Sequence, residues 1–99
     1  MSKKIISIDQ GTTSTRALLF DSECKFIDFE QREFPQYFPN DGWVEHNPED
    51  IWESVLTVTK GLIKKHSLSP IDIVSIGITN QRETTLLWDR KTGKAVYPA

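Results

Sequence analysis

The stretch Ile5-Ile6-Ser7-Ile8-Asp9-Gln10-Gly11-Thr12-Thr13-Ser14-Thr15-Arg16-Ala17-Leu18-Leu19-Phe20 constrains this chain more than any other. The apolar run from Ile5 to Ile8 is too short for a helix and rich in β-branched residues, which suit a pleated conformation. Gly11 breaks it, and Ala17 to Phe20 supplies a returning strand. The expected arrangement is strand, tight turn, strand. At the turn stand an acid, a glycine and a run of hydroxyls: Asp9, Gly11, Thr12, Thr13 and Ser14.

This grouping has a chemical logic. Gly11 lets an anion approach the main chain closely. Successive turn N–H groups can form an anion-binding nest, to which the hydroxyls of Thr12, Thr13 and Ser14 add donors. Asp9, at a strand end, suits a hydrated Mg²⁺, which takes few carboxylates and keeps its waters. Arg16 offers a planar fork to phosphate oxygens. Ordinary hairpin turns are rich in the same residue types, so this stretch alone leaves both readings open. The glycine-spaced Lys-Ser/Thr phosphate loop does not occur in the chain.

Ninety-nine residues allow one domain at most. The 12 basic and 14 acidic side chains nearly cancel, so bulk charge draws the chain to neither nucleic acid nor anionic lipid. Cys24 is the sole cysteine, which rules out an intrachain disulfide and fits a reducing compartment. The apolar patch after Lys4 is too short for a signal peptide, and no run reaches the length of a membrane span. The expectation is a soluble, cytoplasmic chain. Val96-Tyr97-Pro98-Ala99 carries no cap and no charged tail, so the parent chain is expected to continue.

Beyond Asp21-Ser22-Glu23, Ile27 and Phe29 alternate with Asp28 and Glu30 over Lys25 to Phe34, as in an edge strand with one wet face. The aromatics of Phe34 to Gly42 are expected to lie against the body of the protein. Asn47-Pro48-Glu49-Asp50 is a strong helix start: a capping amide, a proline for the first turn and two acids for the positive end. Ile51, Val55, Val58 and Leu62 form an apolar stripe that Trp52, Leu56 and Ile63 widen, and Lys64, Lys65 and His66 suit the last turn. Gly61 costs such a helix roughly 1 kcal/mol against Ala. His66 is expected at the surface, and His46 reads as structural rather than as a ligand. Ser69-Pro70 ends the helix. Ile71 to Thr79 is so apolar that both faces of a strand there are expected to be buried, with Gly77 marking a close backbone approach. Thr84 to Asp89 is expected as another strand, turned by residues 90–94 into a short piece at 95–97.

The first three strands make an antiparallel meander, and the helix carries the chain across to the fourth. Right-handed crossover and a central place for the most apolar strand give the order 3-2-1-4, with strand 4 parallel to strand 1. Their carboxyl ends then share one sheet edge, where α/β sheets bind ligands. Asp9-Gln10-Gly11 there faces Asn80-Gln81-Arg82-Glu83. A guanidinium and a carboxylate suit a polyol, since Arg82 donates paired hydrogen bonds and Glu83 accepts hydroxyl protons. A solvated connection between strands is the plain alternative for that cluster taken alone.

Asp9-Gln10-Gly11-Thr12-Thr13-Ser14, Gly42-Trp43-Val44-Glu45-His46-Asn47-Pro48 and Gly77-Ile78-Thr79-Asn80-Gln81-Arg82-Glu83-Thr84-Thr85 resemble, in this order and spacing, the amino-terminal part of the FGGY carbohydrate kinases. The first motif is shared across that class. The third resembles the branch that acts on glycerol. The resemblance covers essentially the whole chain; Asn47 stands where many relatives carry Asp.

The resemblance implies an α/β, ribonuclease-H-like (actin-like ATPase) fold, of which residues 1–99 form the incomplete first part of one lobe. It implies ATP-dependent phosphorylation of glycerol to glycerol 3-phosphate with Mg²⁺. Gly11, Thr12, Thr13, Ser14 and Arg16 would then meet the ATP or ADP phosphates, Asp9 the metal through water, and Arg82 and Glu83 the glycerol hydroxyls. The catalytic base and adenine pocket would lie beyond Ala99, so the 99 residues alone are expected to be inactive and to self-associate through exposed strand edges. Another FGGY sugar or polyol kinase, or a non-catalytic actin-like nucleotide-binding module, are the alternative readings.

Overall fold

A computed structural model describes residues 3–81 and 83–99. Strand β1 (Lys4–Gln10) pairs antiparallel with β2 (Ser14–Asp21), and β2 with β3 (Phe26–Glu33). Helix α1 (Pro48–Lys65) and a single 3-10 turn (Pro70–Asp72) lead into β4 (Ile73–Thr79), which runs parallel to β1. The sheet order is β3-β2-β1-β4, as the crossover argument requires.

Strand periodicity selects the core. Alternate residues of β1 (Ile6, Ile8, Gln10) and β2 (Thr15, Ala17, Leu19) are buried, and they face one another as Ile6–Leu19, Ile8–Ala17 and Gln10–Thr15. Onto this face α1 lays Ser54, Val58 and Leu62, one every four residues. Val55, Ile63, Leu68 and Ile73 pack around the cluster. Trp52 does not widen the stripe; two residues from Ser54, it turns about 200° away and is exposed.

Both helix ends are capped. Asn47 Oδ1 accepts the Glu49 N–H at 3.0 Å ahead of Pro48. At the other end the chain turns before Ser69-Pro70. Ser67 takes a positive φ of 51°, while Leu68 N–H returns to Ile63 O (2.9 Å) and Ser67 N–H to Lys64 O (3.3 Å). That pair of bonds, with Leu68 and Ile63 both against the core, is a Schellman closure.

Strand β3 reverses its expected orientation. Asp28 and Glu30 lie opposite the buried Leu19 and Ala17, on the helix side, while Ile27 and Phe29 are exposed. The helix meets that polar row with its own polar end. Lys65 Nζ and His66 Nε2 each lie 2.9 Å from Asp28 Oδ2, and Arg32 donates to Thr57 Oγ1 at 2.7 Å. His66 is thus a half-buried partner of Asp28 rather than a surface residue. His66 first, and Lys65 second, hold the Asp28 carboxyl far below the usual carboxylate range; Asp28 in turn raises Lys65.

Strand β4 departs furthest from expectation. Val74, Ile76 and Ile78 on one face are 62%, 48% and 73% exposed, and Ser75, Gly77 and Thr79 on the other are exposed as well, so neither face is buried. Helix α1 packs chiefly on β2 and β3, and no described residue fills the space beside Gly77. The expected strand at 84–89 is also absent. Trp88 and Ala95 form an isolated bridge, with Val96 N–H on Leu87 O and Asp89 N–H on Lys94 O, around a turn whose N–H groups at Thr92 and Lys91 lower the Asp89 pKa. Leu87 and Trp88 are exposed there, so no sheet neighbour extends the bridge. Of the 34–42 aromatics, Phe34 is buried edge-on against His46 (5.2 Å between ring centres), whereas Phe38 is exposed. Among the described residues no helix is long and apolar enough to cross a membrane.

Candidate functional site

The parallel pairing of β1 with β4 ends at Asp9 opposite Thr79. Both strands stop there, and the two following loops flank an open crevice of about 560 Å³. Asp9, Gln10, Gly11 and Thr12 form one wall; Thr79, Asn80, Gln81 and Glu83 form the other. The two polar clusters of the sequence therefore meet.

The first wall is a tight turn. Gly11 N–H donates to Ser14 O at 3.0 Å, and a Cβ on Gly11 would sit 3.2 Å from that same oxygen. Only glycine closes this turn without moving the backbone. Thr12 and Thr13 are exposed at its tip. Ser14 opens β2, and its hydroxyl accepts from Gln31 Nε2 at 2.9 Å. Thr12 lines the crevice; Thr13, Ser14 and Arg16 are not among its walls. Arg16 instead stands opposite Asp9 in the β1–β2 register and reaches its carboxylate at 3.4 Å.

Among the described residues Asp9 belongs to no group of three or more His, Cys, Asp or Glu side chains that could hold a metal. A single, roughly half-exposed carboxylate at a crevice mouth fits a magnesium ion that keeps most of its water. Glu83 is exposed and belongs also to a smaller cavity of about 240 Å³, shared with Thr12, Val44, His46, Thr84, Thr85 and Ala99. Gln81 Oε1 accepts from Thr84 Oγ1 at 2.5 Å, which ties the start of this loop to its end. Arg82 lies outside the described residues.

Residue types alone did not single out Gln10, Thr15 or Ser54. Gln10 is 8% exposed, and its amide bridges Gly11 O (3.0 Å) and Thr15 Oγ1 (2.8 Å). A glutamine at an inward-facing strand position was the available signal. His46 is buried as expected of a structural residue, but its Nε2 has no partner among the described residues.

The model of the amino-terminal domain of the FGGY family of carbohydrate kinases matches residues 4–99. A glycerol kinase from Marinomonas sp. (strain MWYL1) is 57% identical over all 99 residues. One from Caldanaerobacter subterraneus subsp. tengcongensis is 54% identical, again over the whole chain. The chain spans about 20% of the length of these relatives. Among solved structures, a Plasmodium falciparum glycerol kinase with ADP matches 98% of the chain, and 20% of its own, at 35% identity and a TM-score of 0.86. A gluconate kinase from Lactobacillus acidophilus matches 99% of the chain and 19% of its own at 22% identity and TM-score 0.88, a likeness of fold alone.

Proposed function

We propose, since the chain belongs to the FGGY family of carbohydrate kinases, that it is the amino-terminal segment of an ATP-dependent glycerol kinase. One observation carries the reading: the Asp9–Thr12 turn and the 79–83 loop wall a single crevice. Phosphoryl transfer needs donor and acceptor held in line at one place, with positioning and charge stabilisation as the main work. The identity to glycerol kinases, at 57% and 54%, favours glycerol over the other acceptors of the family.

In this reading the turn N–H groups and the hydroxyls of Thr12, Thr13 and Ser14 donate to ATP phosphate oxygens, and Arg16 adds its charge. Asp9 would hold Mg²⁺ through water, and the ion would supply charge neutralisation at the phosphates. Glu83 accepts from a glycerol hydroxyl, and Arg82 donates to its oxygens. The γ-phosphoryl group passes to glycerol, ADP leaves, and the hydroxyl proton goes to a base supplied from outside this segment.

A full-length chain beginning with these 99 residues tests the reading. It should release ADP and glycerol 3-phosphate only when ATP, Mg²⁺ and glycerol are all present. Turnover with xylulose or gluconate but not with glycerol would overturn the acceptor assignment.

A further inference from the structure

A row of buried polar groups runs from the phosphate turn to the helix. Gln10 Nε2 donates to Gly11 O at 3.0 Å, and Gln10 Oε1 faces Thr15 Oγ1 at 2.8 Å. Thr15 Oγ1 lies 2.6 Å from Ser54 Oγ, which lies 2.6 Å from Ile51 O. Thr15 and Ser54 are almost wholly buried, so bulk solvent does not reach them.

The protons do not suffice. Three oxygen–oxygen contacts connect Gln10 Oε1, Thr15, Ser54 and Ile51 O, and the two terminal oxygens are acceptors only. Each hydroxyl brings one proton. Two protons cannot fill three contacts, so one contact is unmade. Turning the Gln10 amide over supplies the third: Nε2 donates to Thr15, Thr15 to Ser54, and Ser54 to Ile51 O. That orientation, however, sets Gln10 Oε1 against Gly11 O, acceptor to acceptor. It becomes comfortable only if the Gly11–Thr12 peptide also turns over and offers its N–H to Gln10.

The two arrangements present different groups at the turn. A trans peptide is planar, with its C=O and N–H on opposite sides. While Gln10 holds Gly11 O, the Thr12 N–H points away from the buried amide, and it takes no partner among the described residues. In the turned-over arrangement Gly11 O points outward, and a carbonyl repels a phosphate oxygen. We infer that Gln10 is a positioning residue of the phosphate loop, whose amide, held by Thr15, fixes the Gly11–Thr12 peptide so that its N–H faces a nucleoside phosphate. Ser54 acts against it, because its contact with Thr15 competes for the proton that holds Gln10. This rests on the reading of the turn as a nucleotide site.

The test is ADP and glycerol titration calorimetry on a full-length chain that begins with this segment. Gln10→Glu, which accepts from Thr15 but cannot donate to Gly11 O, should weaken ADP at least tenfold and leave glycerol binding within twofold. Thr15→Val, which frees the amide, should weaken ADP by a similar factor. Ser54→Ala removes the competing contact and should leave ADP affinity equal to wild type or tighter. A merely structural row predicts otherwise, because both substitutions delete one hydroxyl of the same buried row. Equal ADP affinities of Thr15→Val and Ser54→Ala, with wild type binding normally, overturn the proposal. Should Thr15→Val fail to fold, Thr15→Ser must keep wild-type ADP affinity and Gln10→Glu must lose it; any other pattern is a refutation. A wild-type chain that binds no ADP overturns the nucleotide reading itself, and the inference with it.

Discussion

Asp9 and Arg16 stand opposite each other in the β1–β2 ladder, and their side chains close an ion pair of 3.4 Å at the crevice mouth. With side chains 42% and 46% exposed respectively, this pair contributes about 0–1 kcal/mol, so a ligand separates it at little cost. In the proposed reading the pair keeps the cation for phosphate and the carboxylate for the metal at one spot. Asp9→Asn should therefore leave the fold and glycerol binding nearly unchanged. Its turnover should fall by about two orders of magnitude or more, since charge neutralisation by a metal supplies several kcal/mol in phosphoryl transfer. Steady-state kinetics of the full-length chain at saturating Mg²⁺-ATP check this; normal turnover sinks the metal assignment.

Glu83 should fail in the opposite manner. It lines both cavities, and if it accepts from substrate hydroxyls as proposed, its loss leaves polar groups unpaired. Such a loss costs about 1–3 kcal/mol, and more when the group is charged. Glu83→Ala should raise the glycerol Michaelis constant at least about tenfold, with the ATP constant little changed. An unchanged glycerol constant would make Glu83 an ordinary surface charge.

Gly61 in the middle of α1 is explained by Glu30. A Cβ at position 61 would sit 3.3 Å from both Cγ and Oε1 of that side chain. Gly61→Ala gains helix propensity worth about 1 kcal/mol but must displace Glu30. In a Glu30→Ala background the full gain should appear; with Glu30 present it should be smaller. Chemical denaturation of the four variants of this cycle measures the coupling, and zero coupling would reject the contact as the reason for glycine.

Acid sensitivity should centre on Asp28. Its folded-state pKa is depressed, first by His66 and then by Lys65. A depressed carboxyl contributes stability that is fully present above its unfolded value of about 3.9 and is lost as pH falls towards the folded value. Wild type should therefore exceed Asp28→Asn in melting temperature at about pH 5, and the margin should shrink steadily below about pH 4. A pH-independent margin would mean that packing, not charge, ties β3 to the end of α1.

Much of this was legible in the sequence because each local signal had one geometric solution. Asn47-Pro48 placed the helix start, β-branched runs placed β1 and β4, and crossover handedness then fixed β3-β2-β1-β4 and brought Asp9 beside Thr79. The failures share a cause as well. Alternation in β3 cannot say which face meets a helix whose end is itself polar, so Asp28 and Glu30 turned inward unforeseen. The apolar face of β4 (Val74, Ile76, Ile78) promises burial that α1, seated over β2 and β3, does not provide among the described residues. Ser54 interrupts an apolar stripe, and only the register that sets Thr15 beneath it gives that hydroxyl a purpose.

These 99 residues by themselves should be neither catalytic nor monomeric. Transfer needs a base that orients the acceptor and a second wall that excludes water and positions ATP. The described residues supply the proposed phosphate turn and one side of the proposed acceptor site, and among them nothing closes the crevice between the two. β4 meanwhile stands at the end of the sheet order with its apolar face of Val74, Ile76 and Ile78 open, and Leu87, Trp88, Val96 and Tyr97 are exposed on the arm that follows it. A flat apolar edge with free N–H and C=O groups pairs readily with another strand. The Trp88–Ala95 bridge lies within that arm, whose end meets the body through two backbone hydrogen bonds between His46 and Ala99 (2.6 and 2.8 Å), few enough for the arm to exchange between copies. Sedimentation of the isolated segment should therefore give dimers or larger species that dissociate on dilution, and an ADP-release assay should give no glycerol-dependent turnover. A clean monomer at tens of micromolar would count against the edge argument. Glycerol-dependent ATP consumption by the isolated segment would show that the turn and the 79–83 loop are sufficient for transfer, which the open crevice argues against.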